Sequence, residues 1–372
     1  MDPVKKKWLG IVIRAGFTLA CLGYLFATIP VRDRLDLKGG ARLEGTLLGE
    51  PGPEGVRFAP KEGGERLVPI SELEGPPEKA VHLGLKSALR GLRWGFLAAA
   101  LGILVLNQFL LVIRWKTLLD AQDIRLGYWE LMRLNLTGLF WNNAMPGQTG
   151  GDVIKAYAVA KRAPGKGTAA VVTVFLDRVV GMTGLVSLAG VASLFMAMRD
   201  PRFVTAARAL SGILGGLLAG GAFYLSPLKR RLLPPDRIRK VPGAGKVLAE
   251  IDEAVHLYRD RRGALLRAWL LAMTNHSGYI LMGAAIGRSL GIEAGLLPFI
   301  VIIAIVSMIG CIPVSIMGFG LGEVAYVKVF GELLGVAAPK ALALSLLTRF
   351  CLIAAGLAGG VVVLLGRRRD AQ

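Results

Sequence analysis

Two stretches of this chain set carboxylates, cations and turn-forming residues at matching intervals within otherwise apolar sequence. The first runs Asn142-Asn143-Ala144-Met145-Pro146-Gly147-Gln148-Thr149-Gly150-Gly151-Asp152, with Lys155 one turn on and Asp177-Arg178 beyond it. The second runs Pro313-Val314-Ser315-Ile316-Met317-Gly318-Phe319-Gly320-Leu321-Gly322-Glu323, with Thr348-Arg349 beyond it. Asp152 to Arg178 and Glu323 to Arg349 are both steps of 26 residues. Gly151-Asp152-Val153 matches Gly322-Glu323-Val324, and a Gly-Leu follows each arginine, at Gly184-Leu185 and Gly356-Leu357.

The chemistry these types support is ion binding. A helix that begins just after a Pro/Gly break presents free N–H groups and the positive end of its dipole, a setting that attracts phosphate. Lys155, Arg178 and Arg349 add positive charge, and Asn142, Asn143, Gln148 and Ser315 add neutral hydrogen bonds. Asp152, Asp177 and Glu323 balance that charge or meet a cationic headgroup. A structural reading stands beside this one. Asp152 and Glu323 lie where a first helical turn favours a carboxylate, and the pairs would then tie one helix to the next.

The elements that position these residues are membrane helices. Hydrophobic residues make up 53% of the 372, charged residues 19%, and mean hydropathy is +0.54. Soluble domains run nearer a quarter charged. Six apolar runs are long enough for the ~20 residues that cross a ~30 Å hydrocarbon core: Trp8–Ile29, Trp94–Ile113, Ala169–Met198, Phe203–Leu225, Ala264–Gly287 and Lys340–Gly366. The first carries Arg14 and lacks a small-x-small cleavage site, so it reads as an uncleaved span rather than a signal peptide. Trp129–Arg162 and Leu296–Gly335 are apolar but broken by the two stretches above. Their return arms, Asp152 to about Ala160 and Glu323–Leu334, are too short to cross as helices. Both read as re-entrant hairpins, in which broken backbone is shielded by protein or lines a wet cavity.

Basic residues set the direction. The segments placed in the cytoplasm (Lys5–Lys7, Arg114–Arg125, Lys161–Lys166, Lys229–Arg262 and Arg367–Arg369) hold 22 of them, and the short outer loops hold four. Both termini are then cytoplasmic. The order span, hairpin, span recurs with opposite sense, and inverted repeats with broken helices mark secondary transporters. The expected fold is therefore an all-α polytopic membrane protein. It has six full spans plus two re-entrant helical hairpins in an inverted repeat, with a small extracytoplasmic β-rich insert.

Residues 1–30 form the first span and 31–93 the outer insert. Residues 94–198 are repeat one, 199–263 a linking span and basic amphipathic segment, 264–366 repeat two, and 367–372 a basic tail. Within the insert, 43–47, 56–58 and 67–70 read as short strands, enough for a tiny barrel or a loose loop. A helix from about Gly245 to Asp260, with Val247, Leu248, Ile251, Val255 and Leu257-Tyr258 on one side, either lies along the headgroups or packs under the bundle.

Other chemistries are not expected. The net charge of +19 and pI near 10.2 would suggest nucleic acid in a soluble chain; here they fit basic loops against anionic lipid. Cys21, Cys311 and Cys351 lie in apolar runs, and His82, His256 and His276 are scattered, so neither a disulfide scaffold nor a metal site is expected. Gly165-Lys166-Gly167-Thr168 is not a P-loop, and Gly318-x-Gly320-x-Gly322 follows no strand. No HExxH or nucleophile elbow occurs, so no cofactor is expected. Gly212, Gly216 and Gly220 form a small-residue stripe suited to helix packing within the chain or in a homo-oligomer.

The ordered set Asn143-x-x-Pro146-Gly147-x-x-Gly150-Gly151-Asp152-x-x-Lys155, Asp177-Arg178, Pro313-x-Ser315-x-x-Gly318-x-Gly320-x-Gly322-Glu323 resembles the lysylphosphatidylglycerol synthase transmembrane (flippase-like) family. The resemblance spans most of 94–366. It implies a domain that, in the best-understood member, moves an aminoacylated phospholipid across the bilayer. Pro146, Gly147, Gly150, Gly151, Lys155, Asp177, Arg178, Pro313, Gly320 and Glu323 match the family pattern, while Asp152 stands where Glu is more usual. The soluble aminoacyltransferase half of bifunctional members is absent, so lipid aminoacylation is not implied.

The expectation is a lipid translocator of a bacterial inner membrane without an ATP motor. It would hold a phospholipid or lipid-linked headgroup in a polar pocket between the two hairpins. A membrane glycosyl- or acyl-transferase is the first alternative. It would need a catalytic acid or base facing the outer aqueous phase, usually beside a metal-binding acidic motif, and residues 31–93 hold no Asp-x-Asp. A non-catalytic scaffold for envelope assembly is the second.

Overall fold

A computed structural model of the chain describes residues 3–49, 51–144, 150–234, 237, 239, 245–310 and 319–369. Along the chain, α1 (Pro3–Thr28) leads into β1 (Asp33–Asp36), β2 (Arg42–Leu47), β3 (Val56–Pro60), β4 (Arg66–Val68), α2 (Pro77–Ala80), β5 (Val81–His82) and α3 (Leu85–Arg90). The helices α4 (Trp94–Ala121), α5 (Tyr128–Ala144), α6 (Gly150–Lys161), α7 (Gly167–Ala197), α8 (Val204–Leu225) and α9 (Pro227–Leu232) follow. Next come α10 (Gly245–His256), α11 (Arg262–Ser289), α12 (Leu296–Gly310), α13 (Leu321–Leu334) and α14 (Ala338–Arg369).

Four stretches are long and apolar enough to cross a membrane among the described residues: Trp94–Ala121, Gly167–Ala197, Pro201–Leu225 and Ala338–Val362. The other two expected spans are α1 and α11. Helix α11 has 28 residues, yet Thr274-Asn275-His276-Ser277 interrupts its apolar run midway and Arg262, Arg267 and Arg288 flank that interruption. Helix α1 has 26 residues, and Ala15–Thr28 within it is apolar. Helix α4 runs about two turns past the expected Ile113, because Trp115, Leu118 and Leu119 continue its buried face.

The chain divides into two compact units. One gathers Met1–Ala98, Ala285–Ala294 and Val306–Arg349; the other gathers Ala99–Ala284, Gly295–Ile305 and Phe350–Gln372.

In the first unit, five antiparallel strands form one sheet in the order β4-β3-β2-β1-β5. The three expected strands are β2, β3 and β4. Strand β1 reads poorly in sequence because its inward residues are Asp33 and Leu35, a carboxylate where a hydrophobe is expected. The buried Asp33 carboxylate accepts hydrogen bonds from Leu47 N (2.6 Å), Gly84 N (2.6 Å) and Ser87 Oγ (2.7 Å). It thereby ties β2 and the start of α3 to β1. Leu35, Val56, Phe58, Val68 and Leu73 close the core of this module. The sheet is an open meander rather than a barrel, since no pairing among the described residues joins β4 to β5. In the same unit α13 packs along α1, with Val324 and Val327 against Leu25, Ile29 and Leu342.

In the second unit, α4, α5, α6 and α7 share a core built on Val112, Trp115, Leu119, Leu131, Val159 and Val174. Close helix crossings rest on glycine. A Cβ on Gly151 would run into the Gly138 carbonyl, so α5 and α6 touch backbone to backbone. Where α14 crosses α5, a Cβ on Gly356, Gly359 or Gly360 would strike Asn143, Leu136 or Phe140. The expected stripe is elsewhere: at Gly212, Gly216 and Gly220 an added Cβ meets nothing within 4 Å, so among the described residues that stripe makes no close helix crossing.

Helix α10 packs beneath the bundle end. Thr168 Oγ1 donates to Glu250 (2.7 Å), Gln122 Nε2 to the Ala254 carbonyl (2.6 Å) and the Tyr258 hydroxyl to the Leu118 carbonyl (2.7 Å). Burial pushes the Tyr258 hydroxyl up to about 12. The buried positions of α10 are Gly245, Ala249, Asp252, Ala254 and His256; of the apolar stripe Tyr258 is buried, while Val247 and Leu248 are exposed. Lys229, counted with the basic residues of the 229–262 segment, is buried against Asp252, which also accepts from the Tyr224 hydroxyl (2.7 Å). Burial alone would raise the Asp252 carboxyl; the bonds from Lys229 and Tyr224 outweigh it and hold the group below the usual carboxylate range.

Candidate functional site

The two equally spaced acid–arginine pairs both close. Arg178 Nη2 lies 2.6 Å from Asp152 Oδ2, joining α7 to the first turn of α6. Arg349 Nε donates to Glu323 Oε1 at 2.7 Å, joining α14 to the first turn of α13. Each arginine thus holds the N-terminal carboxylate of a short helix, as the structural reading of the repeat expected.

Beyond that shared pair the two sites diverge. At the second, Glu323 is buried and its other oxygen, Oε2, accepts from Gly320 N at 2.6 Å, capping α13. Gly320 sits at φ +84°, and a Cβ there would meet Cys21 and Thr18 of α1, so only glycine fits. The Arg349 guanidinium carbon lies 3.9 Å from the Phe319 ring centroid. Among the described residues, the ion pair shown at this site is Arg349 with Glu323.

The first site holds more charge. Arg114 of α4 grips Asp177 through both carboxylate oxygens, Nε to Oδ1 at 2.7 Å and Nη2 to Oδ2 at 2.9 Å, and both side chains are buried. Gly181, one turn beyond Asp177, leaves room for that guanidinium: a Cβ there would come to 3.3 Å from Nη1. Lys155 is 5% exposed. Its Nζ lies 3.8 Å from the centroid of Trp115, whose indole N–H donates to Thr173 Oγ1 at 3.1 Å. No carboxylate among the described residues is within ion-pair distance of Lys155. Asp177 and Asp152 act on it from farther off, as do Arg114 and Arg178. His276 of α11 lies half-buried near Arg114 and Asp177 and hydrogen-bonds the Gly181 backbone. Three cations (Arg114, Lys155, Arg178) therefore face two carboxylates (Asp152, Asp177).

Several sequence expectations are revised by this geometry. Arg114, counted with a cytoplasmic loop, is an interior residue of α4. Its position in an apolar helical period, followed by Trp115, was the signal that it belonged there. Asp177 accepts from Arg114 at both of its oxygens and balances that charge. Asn142 Oδ1 accepts from Gly151 N (2.8 Å), and Asn143 Nδ2 donates to the Leu352 carbonyl (3.1 Å), so both amides serve the fold. Gly150 opens α6 and Gly151 provides the close crossing. Pro146, Gly147, Gln148, Pro313, Ser315 and Gly318 lie outside the described residues. No group of three or more His, Cys, Asp or Glu is placed to hold a metal among the described residues.

Residues 84–360, which include both sites, match the family model described as the lysylphosphatidylglycerol synthase TM region. The chain belongs to this family. It is also 25% identical over 331 residues to the UPF0104 membrane protein PH1989 of Pyrococcus horikoshii, an alignment covering 78% of this chain and 91% of that protein. No solved structure matches. Within the family frame, the resemblance drawn from the two Pro/Gly stretches holds, and the chain is a membrane protein.

Proposed function

We propose that the chain translocates a lipid with an anionic headgroup, held at the charged cluster of α4, α6 and α7. The observation that carries this reading is the surplus cation: Lys155 is 95% buried with no carboxylate within ion-pair distance among the described residues. An unpaired buried charge is costly, and a phosphate is its natural complement. The α6 N-terminus and Arg178, half-exposed beside Asp152, would provide further positive potential. Helix α6 has 12 residues, about 18 Å of rise. That is short of a ~30 Å core, which supports a re-entrant arm. On this reading six spans cross a bacterial inner membrane with both termini in the cytoplasm. Membrane placement itself follows from the family.

The test is flip of labelled anionic phospholipid in proteoliposomes. Wild type is expected to exceed empty vesicles clearly and Arg178→Ala to approach them. Wild type and Arg178→Ala both matching empty vesicles would remove the proposal.

A further inference from the structure

A cavity of about 450 Å³ lies away from the charged cluster. It sits between the last turn of α4, lined by Thr117 and Asp120, and the first turns of α11, lined by Arg261, Gly263 and Arg267. Its charge is positive. Asp120 is already bound by Lys116 of its own helix, at 2.9 and 3.0 Å. Arg261 reaches Asp123 only at 3.9 Å, and Arg267 has no carboxylate within 4 Å among the described residues. The first turn of α11 carries no acidic residue, and Gly263 has nothing within 4 Å of its Cβ position, which keeps the mouth open.

The same helix faces turn apolar one step further along. On α4, Ile113 and Phe109 precede Thr117 at four-residue steps and are 42% and 37% exposed. On α11, Leu266 and Leu270 follow Gly263 and Arg267 at three-residue steps and are 57% and 50% exposed. A cationic basin continued by apolar surface on both flanking helices is complementary to a phosphate that carries acyl chains.

We propose that this basin is a docking site for the phosphate of an anionic phospholipid, held by Arg261 and Arg267 with its chains along Ile113, Leu266 and Leu270. It is separate from the transport cluster and stands without the translocator reading.

The test uses the full chain in detergent, in an Arg178→Ala background so that the transport cluster contributes little. Native mass spectrometry follows retained phosphatidylglycerol against phosphatidylcholine. The expected result is preferential retention of phosphatidylglycerol, reduced roughly tenfold or more by Arg261→Gln with Arg267→Gln, as two guanidinium–phosphate contacts go. Arg199→Gln, in an exposed loop, should leave retention unchanged. Unaltered retention in the double variant would overturn the site, provided its melting temperature shows it folded. Saturable binding of inorganic phosphate that the double variant loses, without preference between the two lipids, would overturn the lipid assignment in favour of a free anion.

Discussion

The two acid–arginine sites share one ion pair and differ in what surrounds it. An offset of 171 residues carries Asp152 to Glu323 and Arg178 to Arg349. The same offset carries Lys155 to Tyr326, Asp177 to Thr348 and Arg114 to Ala285. Tyr326 is buried and stacks on Phe330 at 5.7 Å, and Thr348 donates to its own helix, at the Leu344 carbonyl. What repeats is thus the tie between an arginine and a helix N-terminus, and what is added in the first site is surplus buried charge. Repetition points to architecture. The unrepeated ions point to the ligand.

The largest effect expected from that division is at the unrepeated buried pair. Asp177→Asn should strand the Arg114 charge and cost about 3–5 kcal/mol of stability, read as thermal unfolding in detergent. Arg114→Leu with Asp177→Leu should recover most of it, because a dry pair contributes little net stability over apolar packing. A loss under about 1 kcal/mol for Asp177→Asn would mean the pair is open to water.

The shared tie should come next. Glu323→Gln removes the charge opposite Arg349 and weakens the Gly320 cap, for roughly 2 kcal/mol. Arg178→Ala should cost about 1 kcal/mol or less, since that side chain is 51% exposed. Equal losses at Glu323 and Arg178 would erase the asymmetry between the sites.

The spacing of acid and arginine was readable in the sequence because both partners sit in recognisable turns and recur. The short helices α6 and α13 were readable for the same reason, each beginning just after a Pro/Gly stretch of the sequence. Arg114 was not, because a cation near the end of an apolar run looks like a loop residue until the partner helix is placed. Strand β1 was missed because its inward Asp33 breaks the apolar alternation, and its three hydrogen-bond donors come from 14 to 54 residues away. The sequence left α10 between the headgroups and the bundle, because its contacts to Gln122, Thr168 and Leu118 lie more than 80 residues away in the chain. The glycine contacts at Gly138–Gly151 and at Gly356 follow from tertiary crossings, which a regular stripe such as Gly212, Gly216 and Gly220 imitates without making.

The smallest structural change with a large functional consequence is Lys155→Met, which keeps the length of the side chain and removes its charge. Its stability should hold or rise, since a buried cation is replaced by an apolar group. Tyr326→Phe, at the corresponding position of the second site, serves as the comparison. The decisive measurement is the flip rate of labelled phosphatidylglycerol in proteoliposomes for these two variants and wild type. A charge-assisted bond of roughly 1.5–3 kcal/mol to the headgroup predicts that Lys155→Met falls about tenfold or more, while Tyr326→Phe stays close to wild type. Equal rates for Lys155→Met and wild type, with both proteins folded, would contradict the assignment of the surplus cation to the lipid headgroup.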